Sequence, residues 1–599
     1  MLFKNVEKIT RIINTTMNRE PPDLIVKNGN LVNVYTGEIY EADIVVKDDV
    51  IVKVVERGKA NYTVGPNTEV VDVKGKFIVP GFIDGHIHIE SSMLSIPRFA
   101  EAVLPLGTTS VITDLHEIGI VLGLKGIRYM LDVARKTPLK VFLMIPSHIP
   151  FMPGLETVGS EFTIDDIKTA LEWEESVALS EVVFAQLLGL HRELLESIEL
   201  TLKKRKLVEG HGPALSGNEL QAFIAAGTIS DHEAVSAEEG LDKLRLGLEL
   251  MIREGSVATN LSEVIKVVTK YHVDTSKIML VSDDVSCRDL IKIGHMNYKV
   301  KRAIEEGVDP IKAIQMATIN VAKHFRIDDF VGSVTPGRYA DIVVVDNLRD
   351  LNIEMVIANG KLVCKEGSMP IKIKEPEYPE EYLKTLRVKR EITVDDLKVK
   401  VPISKGKARV RVIGVKEGTL LKDALVEELD VVNGEVISNI GKDVLKVAVI
   451  ERHKATGNIG LGFVKGFNLK EGAIASTIAH DHHNITVIAA NDDDAALAVN
   501  TLIDIGGGII VTRQGKVVCY LELPIAGLLS PKPLAEVSER LEKVYKATYN
   551  LGCKLRDPVI HLSFITATAI PAYGISDKGL IDVVNKKAVP IVIEYYEYK

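Results

Sequence analysis

From Asp23 onward the chain alternates short apolar runs with polar breaks. DLIVKNGNLVNVYTGEIYEADIVVKDDVIVKVV sets Val/Ile segments between Asn-Gly, Thr-Gly and Asp-Asp, which reads as hairpin-linked strands. The same texture returns after Gly332 in GSVTPGRYADIVVVDNL and MVIANGKLVCKEG. Residues 23–76 and 332–375 are therefore expected to form one composite β-sandwich, with the segment between them inserted. Within residues 1–22, Leu2, Phe3, Val6, Ile9, Ile12 and Ile13 recur at roughly helical spacing among charges, predicting a short amphipathic helix too polar for a signal peptide.

The inserted segment, residues 77–331, alternates apolar β-type runs with helical stretches, the pattern of a parallel sheet with crossovers. In order the runs are KFIVPGFIDGHIH, TSVITDLHE, KVFLMIPSHI, SVALSEVVF, RKLVEGHG, GTISDHE, LELMIREGS and KIMLVSDD. Eight such runs over this length predict a (β/α)₈ barrel, an α/β fold. Residues 376–396 read as a Pro- and charge-rich connector, and 397–599 as a separate α/β or α+β domain with strands such as ARVRVIGV and VLKVAVIERH. The Gly506 to Gly508 triplet lacks the lysine of a phosphate loop and is assigned to a helix-to-strand turn.

Composition narrows the classes. Of 599 residues 46% are hydrophobic and 26% charged, as in globular proteins of several domains. The net charge is −9, and Lys203 to Lys206, the densest basic cluster, suits a solvated helix end better than a nucleic-acid groove. No run of eighteen apolar residues occurs, so neither nucleic acid nor membrane is an expected partner. The four cysteines, Cys287, Cys364, Cys519 and Cys553, are widely spaced, which points to a reducing, cytoplasmic setting. A homodimer is the expected assembly.

The chemistry lies at the ends of the eight runs, nearly all of which close on His, Asp or Glu. Barrel active sites are built at the C-terminal ends of the strands, so these groups converge on one mouth. His86 and His88 leave a strand on the same face, and Glu181, His211, His232 and Asp283 stand at four further strand ends. Four imidazoles and two carboxylates are what two divalent ions sharing a bridging ligand require, and such ions make hydroxide available near neutral pH.

These residues lie within PGFIDGHIHIESSM, GTTSVITDLHEI, EGHGPALSGNELQAFIAAGTISDHE, LRLGLELMIREGS, LVSDD, MATINVA and PGRYADIVVVDNL, followed by IAHDHHN and LPIAGLLS. Through them nearly the whole chain resembles the amidohydrolase superfamily and, within it, the bacterial and archaeal adenine deaminases. The resemblance implies hydrolysis of adenine to hypoxanthine and ammonia by hydroxide attack on carbon 6. It assigns His86 and His88 to a first metal, Glu181 to a bridge between two, His211 and His232 to a second, and Asp283 to metal binding and proton handling, with Asp284 the weaker candidate. Manganese is the expected ion, with iron or zinc as alternatives.

Glu233 is expected to carry a proton to ring nitrogen 1, or else to orient a ligand imidazole. Asp114, His116 and Glu117 are candidates for the purine edge, with ligand support or an extra ion as alternatives. Arg253, Glu254 and Ser256 are candidates for holding the base, with Arg253 and Glu254 alternatively a buried ion pair at the rim. His480, Asp481, His482 and His483 are expected to cap the mouth in part; on a strand their side chains would alternate, so not all four can serve one ion. Three positions depart from the family pattern: Phe184 where Asn is expected, VEGHGP in place of DGHAP, and His148. The rivals are a cyclic-amide hydrolase of the same superfamily, which needs a lysine where Glu181 stands, and a non-catalytic barrel, which needs missing ligands.

Overall fold

The structure is a computed structural model and describes residues 5–59, 61–568 and 570–597. The amphipathic helix runs from Val6 to Thr16, capped by Asn5, and is tied down by ion pairs of Lys8 with Asp49 and Arg11 with Asp48. Leu2 and Phe3 lie outside the described residues.

The two flanking β segments pair into one eight-stranded sheet, in which Ile342–Val345 runs antiparallel to Phe77–Pro80 and thereby joins the C-terminal segment to the N-terminal one. Phe77–Pro80 is thus a strand of this sheet, although the apolar run continues unbroken into the barrel. The break falls at Gly81, whose N–H bonds Asp341 O, after which Phe82 N bonds Gly107 O inside the barrel.

The barrel strands are Phe82–His88, Thr108–Thr113, Lys140–Pro146, Ser176–Val183, Leu207–His211, Ser230–Asp231, Glu249–Arg253 and a split eighth strand, Ile278–Val281 with Asp283–Asp284. All pair in parallel, and Asp283–Asp284 pairs with the first strand to close the ring. Period-two alternation sends Phe142, Met144, Met251 and Met279 into the interior cluster, while Val141, Leu143, Leu250 and Leu280 face the helices.

The C-terminal domain is an eleven-stranded, almost wholly antiparallel sheet with helices Asp492–Asp504, Leu534–Asn550 and Pro558–Phe564, the α+β one of the two expected alternatives. Gly506 to Gly508 turn the first of these helices into strand Gly508–Arg513; a side chain on Gly508 would meet Leu521 O at 1.9 Å. This domain is not a loose appendage. Ser95 N and Ser530 N bond across to Ser530 O and Met93 O, and Leu523, Ile525, Leu528 and Leu529 share one apolar cluster with the barrel.

Candidate active site

Two local irregularities aim the site. Between Asp84 and Ile87 the first strand carries one residue more than its partner, a bulge that reverses the alternation: Ile83 points into the barrel, yet Ile87 faces the helices and His86 and His88 turn to the mouth. The fourth strand carries an extra residue between Leu179 and Val182, where Glu181 takes φ 44°. Asp283 sits at φ 62° in the break of the eighth strand. Left-handed backbone at two carboxylates is strain of the kind that collects at functional sites.

Glu181 is the hub. Its Oε1 lies 3.2 Å from His86 Nε2, 3.3 Å from His88 Nε2 and 3.5 Å from His232 Nε2. Asp283 Oδ1 is 3.5 Å from His88 Nε2 and 4.0 Å from His86 Nε2. His211 joins Glu181 and His232 with ligand atoms all within 4.8 Å of one another. The structure therefore brings together all six residues expected to hold metal. His88 donates through Nδ1 to Asp114 Oδ1 at 3.1 Å, which leaves Nε2 turned to Glu181. Asp114 is wholly buried and also accepts from Ser180 Oγ, so both its carboxylate oxygens are already engaged.

The charges are strongly shifted. Burial opposes ionisation of Glu181, but His88 and His86 outweigh it and hold the carboxyl well below its usual range. His88 is raised well above its ordinary value against burial by Asp114 and Glu181. Burial, then the Asp284 carboxylate, push Asp283 up to about 6. Asp284 itself accepts from Ser91 Oγ.

Arg253 forms a buried ion pair, but with Glu233 and Asp283 in place of Glu254. Its Nη1 contacts Glu233 Oε1 and lies 3.1 Å from Asp283 Oδ2, and its Nε bonds Asn260 Oδ1. Glu233 is thereby drawn to within 3.4 Å of His232 Nε2 and 3.7 Å of His211 Nδ1. The structure does not bring Glu254 or Ser256 to this cluster: Glu254 accepts from Leu261 N and faces Lys299, and Ser256 hydrogen-bonds Ser286. The two flank Gly255, just past the end of the seventh strand.

The AHDHHN run is not on a strand. It forms the turn between Ala473–Ser476 and Ile485–Ala489, so strict alternation does not apply. His480 Nδ1 lies 2.9 Å from Glu117 Oε1 and His483 Nε2 contacts Glu117 Oε2, linking the C-terminal domain to the end of the second barrel strand. His482 turns away, its Nε2 on Ile575 O. Asp481 lies near His148 and Lys422. Next to this link the loop 147–162 is clamped from the C-terminal side: Thr157 donates twice to Asp577, Asn484 donates to Thr157 O, and Thr568 donates to Glu156.

Three contributors escape a reading by motif. Glu90 is buried at 4% exposure, accepts from Ile118 N, and is pushed up to about 8 by burial and then by Asp114 and Glu117. Lys243, fully buried, donates to Asp231 Oδ2 at 2.6 Å and to Gly212 O, bracing the residues before His232 and after His211. Ser147 bonds Glu181 O and the His148 ring. The position of Glu90 in GHIHIE was a usable signal; Lys243 in an ordinary DKLR helix gave none.

The donor set fits divalent metal. Imidazole nitrogens and carboxylate oxygens surround Glu181, and His86 Nε2 and His211 Nδ1 are buried without a hydrogen-bond partner among the described residues. Among the described residues no helix is long and apolar enough to cross a membrane.

The amidohydrolase family model matches residues 77–363, and the model of the adenine deaminase C-terminal domain matches residues 419–587. The chain is 42% identical over 581 residues to an adenine deaminase of Clostridium botulinum, covering 96% of each. It is 39% identical over 588 residues to that of Moorella thermoacetica, covering 98% of each. With that of Thermosipho africanus it shares 40% over 592 residues, covering 98% of this chain and 100% of the relative.

Proposed function

The chain belongs to the adenine deaminase family of amidohydrolases, and on that premise we propose that its barrel mouth hydrolyses adenine to hypoxanthine and ammonia through the residues gathered around Glu181. The observation that carries the reading is the single carboxylate oxygen of Glu181 standing 3.2–3.5 Å from three imidazoles, where a lysine would mark the cyclic-amide hydrolases.

His86, His88, Glu181, His211, His232 and Asp283 would hold a pair of divalent ions, and we assign manganese to them. Bound there, the ions supply water deprotonated near neutral pH and offset the charge that develops on the ring. Asp283, with its carboxyl raised toward neutrality, accepts the proton of the attacking water. Glu233, kept ionised against burial by His211 and Arg253, takes the other proton of the water and passes it to ring nitrogen 1, while Asp283 returns its proton to the departing amine. Arg253 positions both carboxylates and does not itself clamp the base. Glu117, His480 and His483 close the rim against bulk water. The four cysteines are all free, which agrees with a cytoplasmic enzyme; a homodimer is the assembly we expect.

The test is to incubate manganese-loaded protein with adenine, adenosine, guanine, cytosine and hydantoin while assaying ammonia and ring-opened product. Conversion of adenine alone, to hypoxanthine, is expected; turnover of hydantoin alone would overturn the reading.

A further inference from the structure

His148 lies two residues past the end of the third barrel strand, in the loop 147–162, and stands outside the six residues assigned to metal and the two assigned to proton transfer. Its ring meets Phe151 edge-on at 4.4 Å and lies 6.1 Å from the His116 ring, with Glu181, His211 and Asp481 as its charged neighbours. It therefore faces the mouth between the metal ligands and the C-terminal cap.

Its hydrogen bonds fix its tautomer. Ser147 Oγ lies 3.2 Å from the Glu181 carbonyl, which can only accept, so the serine hydroxyl hydrogen is directed there. The same oxygen is 2.6 Å from His148 Nδ1 and satisfies both contacts by accepting from an Nδ1–H. A neutral imidazole with its proton on Nδ1 has a bare lone pair on Nε2. His148 Nε2 is buried and has no partner among the described residues. The ring is held neutral: burial, then the neighbouring His116, lower it to about 3. An unfilled acceptor in a closed mouth calls for a donor on the ligand.

The ring of strands says which donor. The closed order places the third strand opposite the seventh, with the sixth and eighth flanking the seventh. Glu233 follows the sixth strand and Asp283 lies in the eighth, so the purine edge bearing nitrogen 1 and carbon 6 faces that side. The opposite edge, with its five-membered ring, then faces His148. In a free base the nitrogen at position 9 of that ring carries a hydrogen; in a nucleoside it carries the sugar and offers none.

We propose that His148 Nε2 accepts the N–H of the five-membered ring of the free base and so sets the preference for free base over 9-substituted purine. This rests on the adenine reading above. A site built to receive a donor rejects the analogue lacking it, because its buried acceptor is then left unpaired.

The experiment compares adenine with 9-methyladenine for the wild type, His148→Ala and His148→Gln, all manganese-loaded. In the wild type kcat/KM for adenine should exceed that for 9-methyladenine at least a hundredfold. His148→Ala should lose tenfold or more on adenine, carried by KM, while turnover of 9-methyladenine holds or rises, so the ratio collapses. His148→Gln, which retains an acceptor oxygen, should keep part of it. An unchanged ratio in folded His148→Ala overturns the inference and leaves adenine hydrolysis standing, whereas a wild type inert toward adenine sinks both. A crystal structure of the wild type with hypoxanthine needs no variant: a ring N–H within hydrogen-bond distance of His148 Nε2 is expected, and that N–H on any other residue overturns the proposal.

Discussion

Arg253 and Glu233 show how one contact decides between two roles. Arg253 is shared by Glu233 and Asp283, the two carboxylates to which we assign proton transfer. A guanidinium there keeps both charges oriented without taking part in proton transfer, because it does not lose its own proton. Glu233→Gln removes the proton carrier while keeping the shape and one hydrogen bond. We expect kcat to fall about 10²- to 10⁴-fold with manganese content unchanged, measured by steady-state ammonia release and elemental analysis. Full turnover would assign Glu233 to orienting His232 alone. At this scale the ligands were readable because each is a polar residue ending an apolar run. Ser147 and Lys243 were not, since their roles depend on which neighbour burial leaves them, and nothing local encodes that.

Strands and helices were legible where hydrophobic period alone builds them, and less so where register matters. Eight runs predicted eight strands, although the sixth is reduced to Ser230–Asp231 and the first run divides between two sheets. The extra residues in the first and fourth strands cannot be read from one chain segment, because a bulge is defined against its partner. The same holds for the charge cluster on His324, in helix Ile319–His324. His324 Nδ1 meets Glu249 Oε2 at 2.8 Å and Nε2 meets Glu209 Oε1 at 3.0 Å, across 75 and 115 residues of sequence. Burial works against the charge, but Glu209 and Glu249 outweigh it and raise the imidazole to about 9. A folded-state value above the unfolded ~6.5 gives stability that is complete below about pH 6.5 and is lost as pH rises through about 9. His324→Gln should cost about 3 kcal/mol at pH 6, since it leaves Glu209 buried without its cation. Denaturant unfolding of the two proteins should show that gap narrowing between pH 6.5 and 9.5; a constant gap would mean that His324 is neutral in the fold.

The whole molecule is organised around a barrel mouth that the C-terminal domain finishes. Long loops following barrel strands are ordinarily mobile, but residues 147–162 are held by hydrogen bonds from a domain more than three hundred residues later in the chain. Asp577 is the strongest of these holds: it accepts from Thr157 N at 2.9 Å, Thr157 Oγ1 at 2.7 Å and Asn458 Nδ2 at 3.0 Å, and it is 3% exposed. It is in a different part of the structure from every residue that would hold metal, so its removal separates closure from chemistry. Asp577→Ala takes two charge-assisted hydrogen bonds, each worth roughly 1.5–3 kcal/mol, from the loop and a third from Asn458, and leaves the residues that would hold metal untouched. Amide hydrogen exchange over residues 151–158 should then quicken at least tenfold, and KM for adenine should rise about tenfold, while manganese content stays at the wild-type level. If the domain only supported the barrel's outer wall, the variant would lose thermal stability with KM unmoved. If it supplied ligands through this contact, metal would be lost first. A rise in KM with metal retained and the loop loosened is the combination that only a closing role produces, because substrate then waits on a wall that is no longer held in place.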